Sequence, residues 1–283
     1  MKLSIIILNW NTKDLLKQAI QSIYKETNGF DFEIIVADNG STDGSKEMIT
    51  TEFPQVVPLD NKTNLGFAKG NNAGLKVAKG DYLMLLNSDV IVSDQAINKL
   101  VDYLDNNKNI NLAGPRLLNK DGSFQDSCRR RLPNPWNSFI YLSGLSFLFG
   151  QNNSYRPKNI GNEQEIGEAE AISGAAMIFR RQVYDQLGGL DEDFFMYGED
   201  LDFCKRVSDK FGKIGYVGTA VITHLYGQSS SKRKAGSIIN FYDAMWLYYR
   251  KHFQQKNNFF FNFMVFCGIK IKLFFSLLVN ILK

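Results

Sequence analysis

The sequence predicts an α/β protein, a sheet covered by helices on both faces, followed by a helical tail of different character. Three observations predict it. Apolar, β-branched runs alternate with helically spaced segments through the first half. Three of these runs stop at Asn or Asp, and positive charge is concentrated after Gly227. With 283 residues, 44% of them hydrophobic and 22% charged, the chain can bury a substantial core as one large domain with an appendage.

Residues 3–8 form a continuous apolar run expected to be a strand buried on both faces, ending at Asn9. Residues 13–26 place Leu15, Leu16, Ala19, Ile20, Ile23 and Tyr24 at helical spacing. A second strand over 33–37 ends at Asp38, and the following Asn39-Gly40-Ser41-Thr42-Asp43-Gly44-Ser45 supplies turn and capping residues. A short third strand is expected over 56–59 and a helix containing two glycines over 67–79. The strand over 82–86 then terminates in Asn87-Ser88-Asp89. Asn9, Asp38 and Asp89 are therefore expected on one sheet edge, beyond the carboxyl ends of the strands, where open α/β sheets bind ligands. Helix dipoles and backbone N–H groups favour an anion there.

The second half is less regular. Residues 133–157 are rich in Pro, Asn, Ser and aromatics and read as a surface excursion with a short apolar helix over 139–149. A strand pattern over 169–180 is interrupted at Ser173-Gly174, where a missing side chain allows close approach of a ligand or backbone. Gly188-Gly189 ends a short helix, 195–211 carries Glu199, Asp200 and Asp202 into another, and 213–223 is a final strand ending at His224.

The net charge of +4 divides unevenly. Nine of the 33 basic residues and one of the 29 acidic residues follow Gly227, so the tail carries +8 and residues 1–227 carry −4. Phe, Leu, Ile and Val are interleaved with those charges, a pattern that suits an anionic membrane surface rather than nucleic acid. The apolar run 259–282 is long enough to cross a bilayer, but Asn262, Lys270, Lys272 and Asn280 interrupt it. It is expected to lie in the interface, the lysines reaching headgroup water. The apolar run at residues 3–8 is too short for a signal peptide, and the widely spaced Cys128, Cys204 and Cys267 form no metal or disulfide pattern. Both point to a cytoplasmic protein, peripheral at the inner face of the cell membrane. The expected division is a catalytic domain over 1–227 and a helical tail over 228–283.

Taken together, Asn9-Trp10-Asn11, residues 36–43 (VADNGSTD), residues 64–72 (NLGFAKGNN), residues 85–89 (LLNSD), residues 188–192 (GGLDE) and Glu199-Asp200 resemble glycosyltransferase family 2, in its rhamnosyltransferase-like branch. The resemblance runs in order over about residues 3–253. It implies a GT-A fold, a Rossmann-like mixed sheet with flanking helices, together with a nucleoside-diphosphate-sugar donor and a divalent cation, Mg or Mn. It places Asn9, Asp38, Asn39, Asp43, Gly66, Lys69, Asn72, Asn87, Ser88 and Asp89 around the donor. Asp38 would contact the nucleobase, and Asp89 would be the metal-binding end of an Asp-x-Asp motif whose first position is Asn87 here. The acceptor it implies is a polysaccharide or a lipid-linked glycan, and dTDP-rhamnose or a UDP-sugar is the expected donor.

The chemistry of the residues points the same way. A hard cation bridging two phosphates needs few protein ligands, and Asp89 and His224 are the candidates. Inverting transfer needs a base to take the proton of the attacking hydroxyl. Asp200 is the expected base, because the Glu199-Asp200 pair resembles the family's catalytic pair, with Glu199 orienting it or binding acceptor hydroxyls and Asp202 in reserve. Lys69, Arg129, Arg130, Lys232 and Arg233 are candidates for stabilising the leaving diphosphate. A dinucleotide oxidoreductase is disfavoured because no GxGxxG follows the first strand. A sugar-1-phosphate nucleotidyltransferase is disfavoured because no Gly-rich, Arg-containing loop does. A non-catalytic nucleotide- or glycan-binding module is the alternative from another class.

Overall fold

The computed structural model describes residues 1–143, 162–225 and 234–281. Most of its core is one sheet, built from β1 (Leu3–Asn9), β2 (Phe32–Asp38), β3 (Val57–Asp60), β4 (Tyr82–Asn87), β5 (Val90–Val92), β6 (Leu112–Leu118), β8 (Ile166–Ala169), β10 (Ala176–Arg180) and β11 (Ile214–His224). The order is β3-β2-β1-β4-β10-β6-β11-β5, with β8 pairing along the first residues of β11. A two-stranded ribbon joins β7 (Arg129–Arg130) to β9 (Ala171–Ile172).

The four strands from β3 to β4 are parallel, as their apolar runs predict. Beyond them β10 is antiparallel to both β4 and β6, while β6 and β11 run parallel to each other. Two reversals restore the direction, so the carboxyl ends of β1, β2, β4, β6 and β11 share one edge. The sheet is therefore mixed, and that edge collects the polar strand ends.

Helices cover both faces. In α1 (Lys13–Glu26), Leu16, Ala19, Ile20 and Ile23 are buried, as their spacing predicts. α2 (Ser45–Glu52) and α3 (Phe67–Val77) follow β2 and β3. The two glycines of α3 have a packing reason. A Cβ on Gly70 would lie 2.4 Å from Leu8 Cδ1, and one on Gly74 would lie 2.5 Å from Ile6 Cγ2. Only a helix stripped of side chains there can approach β1 so closely. Leu8 and Ile6 thus face α3, and alternation sends Ile5 and Ile7 to the other face, where both are fully buried. α4 (Ala96–Asn106) buries Ile97, Leu100, Val101 and Leu104 and packs on β6 and β11.

Among the described residues, α5 spans Pro135–Ser143, beginning four residues before the expected apolar helix; the rest of that helix, from 144 on, lies outside the described residues, as do 226–233 with Lys232 and Arg233. α6 (Arg181–Leu187) and α7 (Glu199–Phe211) complete the part of the chain that precedes the C-terminal helices.

The C-terminal part is a helical hairpin. α8 (Lys234–His252) and α9 (Phe259–Ile281) run antiparallel, as their cross-contacts require: Tyr242 Oη with Ser276 Oγ (2.7 Å), Asp243 with Lys270 (3.0 Å), Trp246 on Phe266 (5.1 Å between rings) and Tyr249 Oη with Asn262 (2.6 Å). The C-terminal turn of α8 is tied to the sheet domain by Lys251, which pairs with Asp191 and Asp193 at 2.7 Å each, and by His252 against Asp202 at 2.9 Å. Tyr248 and Ala244 of α8 pack on Phe194. α9 is long and apolar enough to cross a membrane, and only Ile269 of its side chains is buried. Lys270 does not face outward alone, since it pairs with Asp243; the side of the helix turned away from the buried Ile269 carries Phe260, Phe263, Phe274 and Phe275, all more than half exposed.

Candidate active site

The polar ends of β1, β2 and β4 are joined by a hydrogen-bonded chain. Asn9, fully buried, donates its amide to Asp38 Oδ2 (2.7 Å) and to Ser41 Oγ (3.1 Å). Its amide oxygen accepts from Thr12 Oγ1 (2.7 Å), whose oxygen lies 2.8 Å from Ser88 Oγ. Asp38 also accepts from the Ser41 N–H (2.7 Å), with Lys46 at 3.9 Å. Four buried side chains thus link the Asp38 corner to the residue preceding Asp89.

Several expected donor residues shape this edge through protein contacts. Asn39 donates to Asn64 Oδ1 (3.3 Å) and to the Gly66 carbonyl (3.0 Å), and it accepts from Asn61 (2.9 Å). Gly66 sits at φ +82°, and a Cβ there would lie 2.4 Å from the Phe195 carbonyl oxygen. Asp43 accepts from the first N–H of α1 (2.8 Å) and from Ser45 at the start of α2. Burial alone would raise its carboxyl, but the Ser45 hydroxyl and these N–H groups hold it below the usual range. Asn72 donates to the Leu190 carbonyl (2.8 Å) and Glu192 (3.1 Å) and accepts from the Leu190 N–H (2.8 Å), so its amide is used to hold the 188–192 loop. Lys69 is exposed on α3.

At the end of β4, Asp89 and the β11 residue His224 face each other with Oδ1 and Nε2 3.2 Å apart, each about 5% exposed. Gln125 orients the imidazole. Its amide nitrogen donates to Asn119 Oδ1 (3.1 Å), which turns its oxygen toward His224 Nδ1 at 2.9 Å. Nδ1 therefore donates to Gln125, which aims Nε2 at Asp89, with the Asn87 amide also 3.2 Å away. A carboxylate oxygen and an imidazole nitrogen thus converge at the end of β4. The donor set fits a hard divalent cation, and the outer hydrogen bond to Gln125 is the usual support for an imidazole ligand. Among the described residues there is no group of three or more His, Cys, Asp and Glu side chains, so other ligands would come from substrate and water.

The acidic pair lies in the first turn of α7. Asp200 accepts from Arg130 at 2.5 Å and from the Gly174 N–H at 3.0 Å. A Cβ on Gly174 would stand 3.3 Å from both Asp200 Cβ and Phe67, so the glycine at the break between β9 and β10 permits this approach. The next residue, Ala175, accepts from the Asn87 N–H at 2.9 Å. Two adjacent residues thus join Asp200 to Asn87, and adjacent Cα atoms are about 3.8 Å apart. The base candidate is thus a near neighbour of the strand end that carries the cation candidate Asp89. Glu199 is buried, with Oε2 unpartnered among the described residues. Burial, and then the charge of Asp200, push its carboxyl up to about 8. Asp202 is bound to Arg206 (2.7 Å) and His252 (2.9 Å), at the junction with α8.

A family model described as glycosyl transferase family 2 matches residues 4–188. The N-acetylglucosaminyl-diphospho-decaprenol L-rhamnosyltransferase of Mycobacterium tuberculosis is 27% identical over 238 residues, covering 76% of this chain and 73% of the relative. The structure of Staphylococcus aureus TarS 1–349 superposes with a TM-score of 0.62 at 15% identity, over 96% of this chain and 71% of that one. The mannosyltransferase PcManGT from Pyrobaculum calidifontis, in complex with GDP-Man and Mn2+, superposes with a TM-score of 0.59 at 15% identity, over 88% and 63%. The sheet, its polar edge and these likenesses converge: the chain has the GT-A fold and belongs to glycosyltransferase family 2, in its rhamnosyltransferase-like branch.

Proposed function

We propose that this glycosyltransferase moves a sugar, with inversion, from a nucleoside-diphosphate donor to a hydroxyl of a glycan acceptor. dTDP-rhamnose or a UDP-sugar is the first donor to try. The observation that carries the reading is a pair of hydrogen bonds, from the Gly174 N–H to Asp200 and from the Asn87 N–H to the Ala175 carbonyl, which keep the Asp200 carboxylate near the Asn87 to Asp89 strand end. In this reading Asp38 lies at the nucleobase end and Asp89 at the diphosphate end, with the chain of Asn9, Thr12 and Ser88 keeping the two in register.

Asp89 and His224 would hold a divalent cation, Mg or Mn, which when bound offsets the charge gained by the departing diphosphate. The Mn2+ and GDP-Man of the mannosyltransferase neighbour support that choice. Asp200 takes the acceptor proton at its carboxylate. Arg130 and the Gly174 N–H fix the direction of that carboxylate, while a neutral Glu199 puts no second charge against it. Residues 1–227 form the catalytic domain in this reading. Residues 228–283 form a tail that rests the enzyme on the anionic inner face of the cell membrane, with the aromatic side of α9 toward lipid.

The test is Mn2+-dependent release of UDP or dTDP by the purified full chain. Asp200→Asn is expected to lose roughly 10²–10⁴-fold in turnover while keeping donor binding. Asp89→Ala is expected to weaken Mn2+-dependent donor binding. Turnover by Asp200→Asn equal to wild type would refute the base.

A further inference from the structure

A cavity of about 1040 Å³ opens beside the acidic pair and runs between α5, α8 and α9. Its inner end is Arg130, Glu199 and Asp200, and its walls are apolar, with Phe241, Met245, Phe253, Met264 and Ile269 among them. Ordinary small-molecule pockets occupy roughly 300–1,000 Å³, so this one exceeds what a monosaccharide acceptor requires. A sugar would also meet the wrong chemistry, since saccharide hydroxyls buried against such walls would lose water without gaining partners.

The rim carries the same character. Trp136 and Phe139 stack on α5 at 6.0 Å and are 57% and 51% exposed. Across the opening, Met264 of α9 is 55% exposed. This rim merges with the bare aromatic side of α9, so the mouth opens onto the surface read above as lipid-facing. Lys272 also lines the cavity and, with Arg130, is one of two cationic side chains among its described lining residues.

From this placement we propose that the cavity holds the hydrocarbon chain of a lipid-linked acceptor, which enters from the bilayer between α5 and α9 and presents its polar head to Asp200. This deepens the transferase reading and rests on it: of the two acceptor classes, free polysaccharide and lipid-linked glycan, it selects the second. Arg130 and Lys272 supply the charge that a phosphate between chain and sugar would meet.

Gly268 provides a direct probe. It lines the cavity from the middle of α9, and a Cβ added there meets nothing within 4 Å. Glycine inside a helix costs about 1 kcal/mol relative to alanine, so replacing it does not weaken the helix. The full chain in detergent micelles is photolabelled with a benzophenone-bearing farnesyl diphosphate, and the labelled peptides are mapped. Labelling is expected within α5, α8 and the inner side of α9, competed by farnesyl diphosphate but not by inorganic pyrophosphate or phosphatidylglycerol vesicles. Gly268→Phe is expected to lower labelling at least tenfold and Gly268→Ala to preserve it, while both variants melt at or above the wild-type temperature and sediment equally with the vesicles. Labelling confined to the outer aromatic side of α9, equal competition by vesicles, or undiminished labelling of Gly268→Phe would overturn the proposal. Mn2+-dependent nucleotide binding is measured in parallel. Its absence in the wild type counts against the transferase reading alone, and labelling decides the cavity.

Discussion

Glu199 offers a test that requires no knowledge of the donor. Its carboxyl is buried beside Asp200, and burial first, then that neighbouring charge, raise it to about 8 against an ordinary 4.5. The sign follows from linkage. Below about pH 4.5 the group is protonated in both states and has no effect on stability. As pH rises toward 8 the unfolded chain loses this proton while the folded chain keeps it, so folding becomes progressively less favourable. At about 1.4 kcal/mol per unit of displacement, the destabilisation is of the order of a few kcal/mol by pH 8. Glu199→Gln keeps the shape and abolishes the titration. Melting temperatures of the variant and wild type should lie close together at pH 4.5 and diverge in favour of the variant up to pH 8, by roughly 2–4 °C for each kcal/mol. Taking the difference between the two proteins cancels the titrating groups that do not interact with Glu199, and leaves Glu199 together with its neighbour Asp200. A difference that stays flat across this range, or that shrinks with pH, would refute a protonated Glu199 beside Asp200.

Two other outcomes follow from the hydrogen bonds. Gln125→Leu removes the acceptor that orients His224 and should lower apparent Mn2+ affinity roughly 10- to 100-fold in calorimetric titration with nucleotide present, with little change in nucleotide affinity without metal. Asn72→Ala leaves the buried Leu190 N–H unpaired and should cost about 1–3 kcal/mol in chemical denaturation.

How much of this was legible in the sequence depends on the element. β1, β2 and β4 are buried on both faces, so they are written as unbroken apolar runs, and their polar ends Asn9, Asp38 and Asn87 were readable with them. β6 is as central, lying between β10 and β11, yet Gly114-Pro115 interrupts it in a way that argues against an interior strand. The glycine is there for space: a Cβ would lie 2.0 Å from Ile172 Cγ2. That clash is between residues 58 positions apart, and no local pattern reports it. The stretch 90–132 thus went unassigned, although Ile97, Leu100, Val101 and Leu104 carry the helical spacing of α4.

The site divides in the same way. Asp89, Asp200 and His224 stand out by residue type and by their place at element ends. Gln125 had no such signal, being an ordinary turn glutamine 99 positions from the imidazole it supports. Arg130 appeared only as one member of a basic run, and its partnership with Asp200 depends on the ribbon of β7 and β9. Lys270 was expected to reach headgroup water, because its partner Asp243 sits on the other arm of a hairpin that the linear pattern did not announce.

The buried relay from Asp38 through Asn9 and Thr12 to Ser88 has a mechanical consequence. Three strand tips fastened by side chains cannot relax separately, so the distance between the Asp38 corner and the Asp89 corner, proposed above to take the nucleobase and the cation, would behave like a ruler cut to one length of nucleotide. Loosening any one knot, as Thr12→Val would, should blur both ends together, and defects in base selectivity and in cation response would then be inherited as a pair.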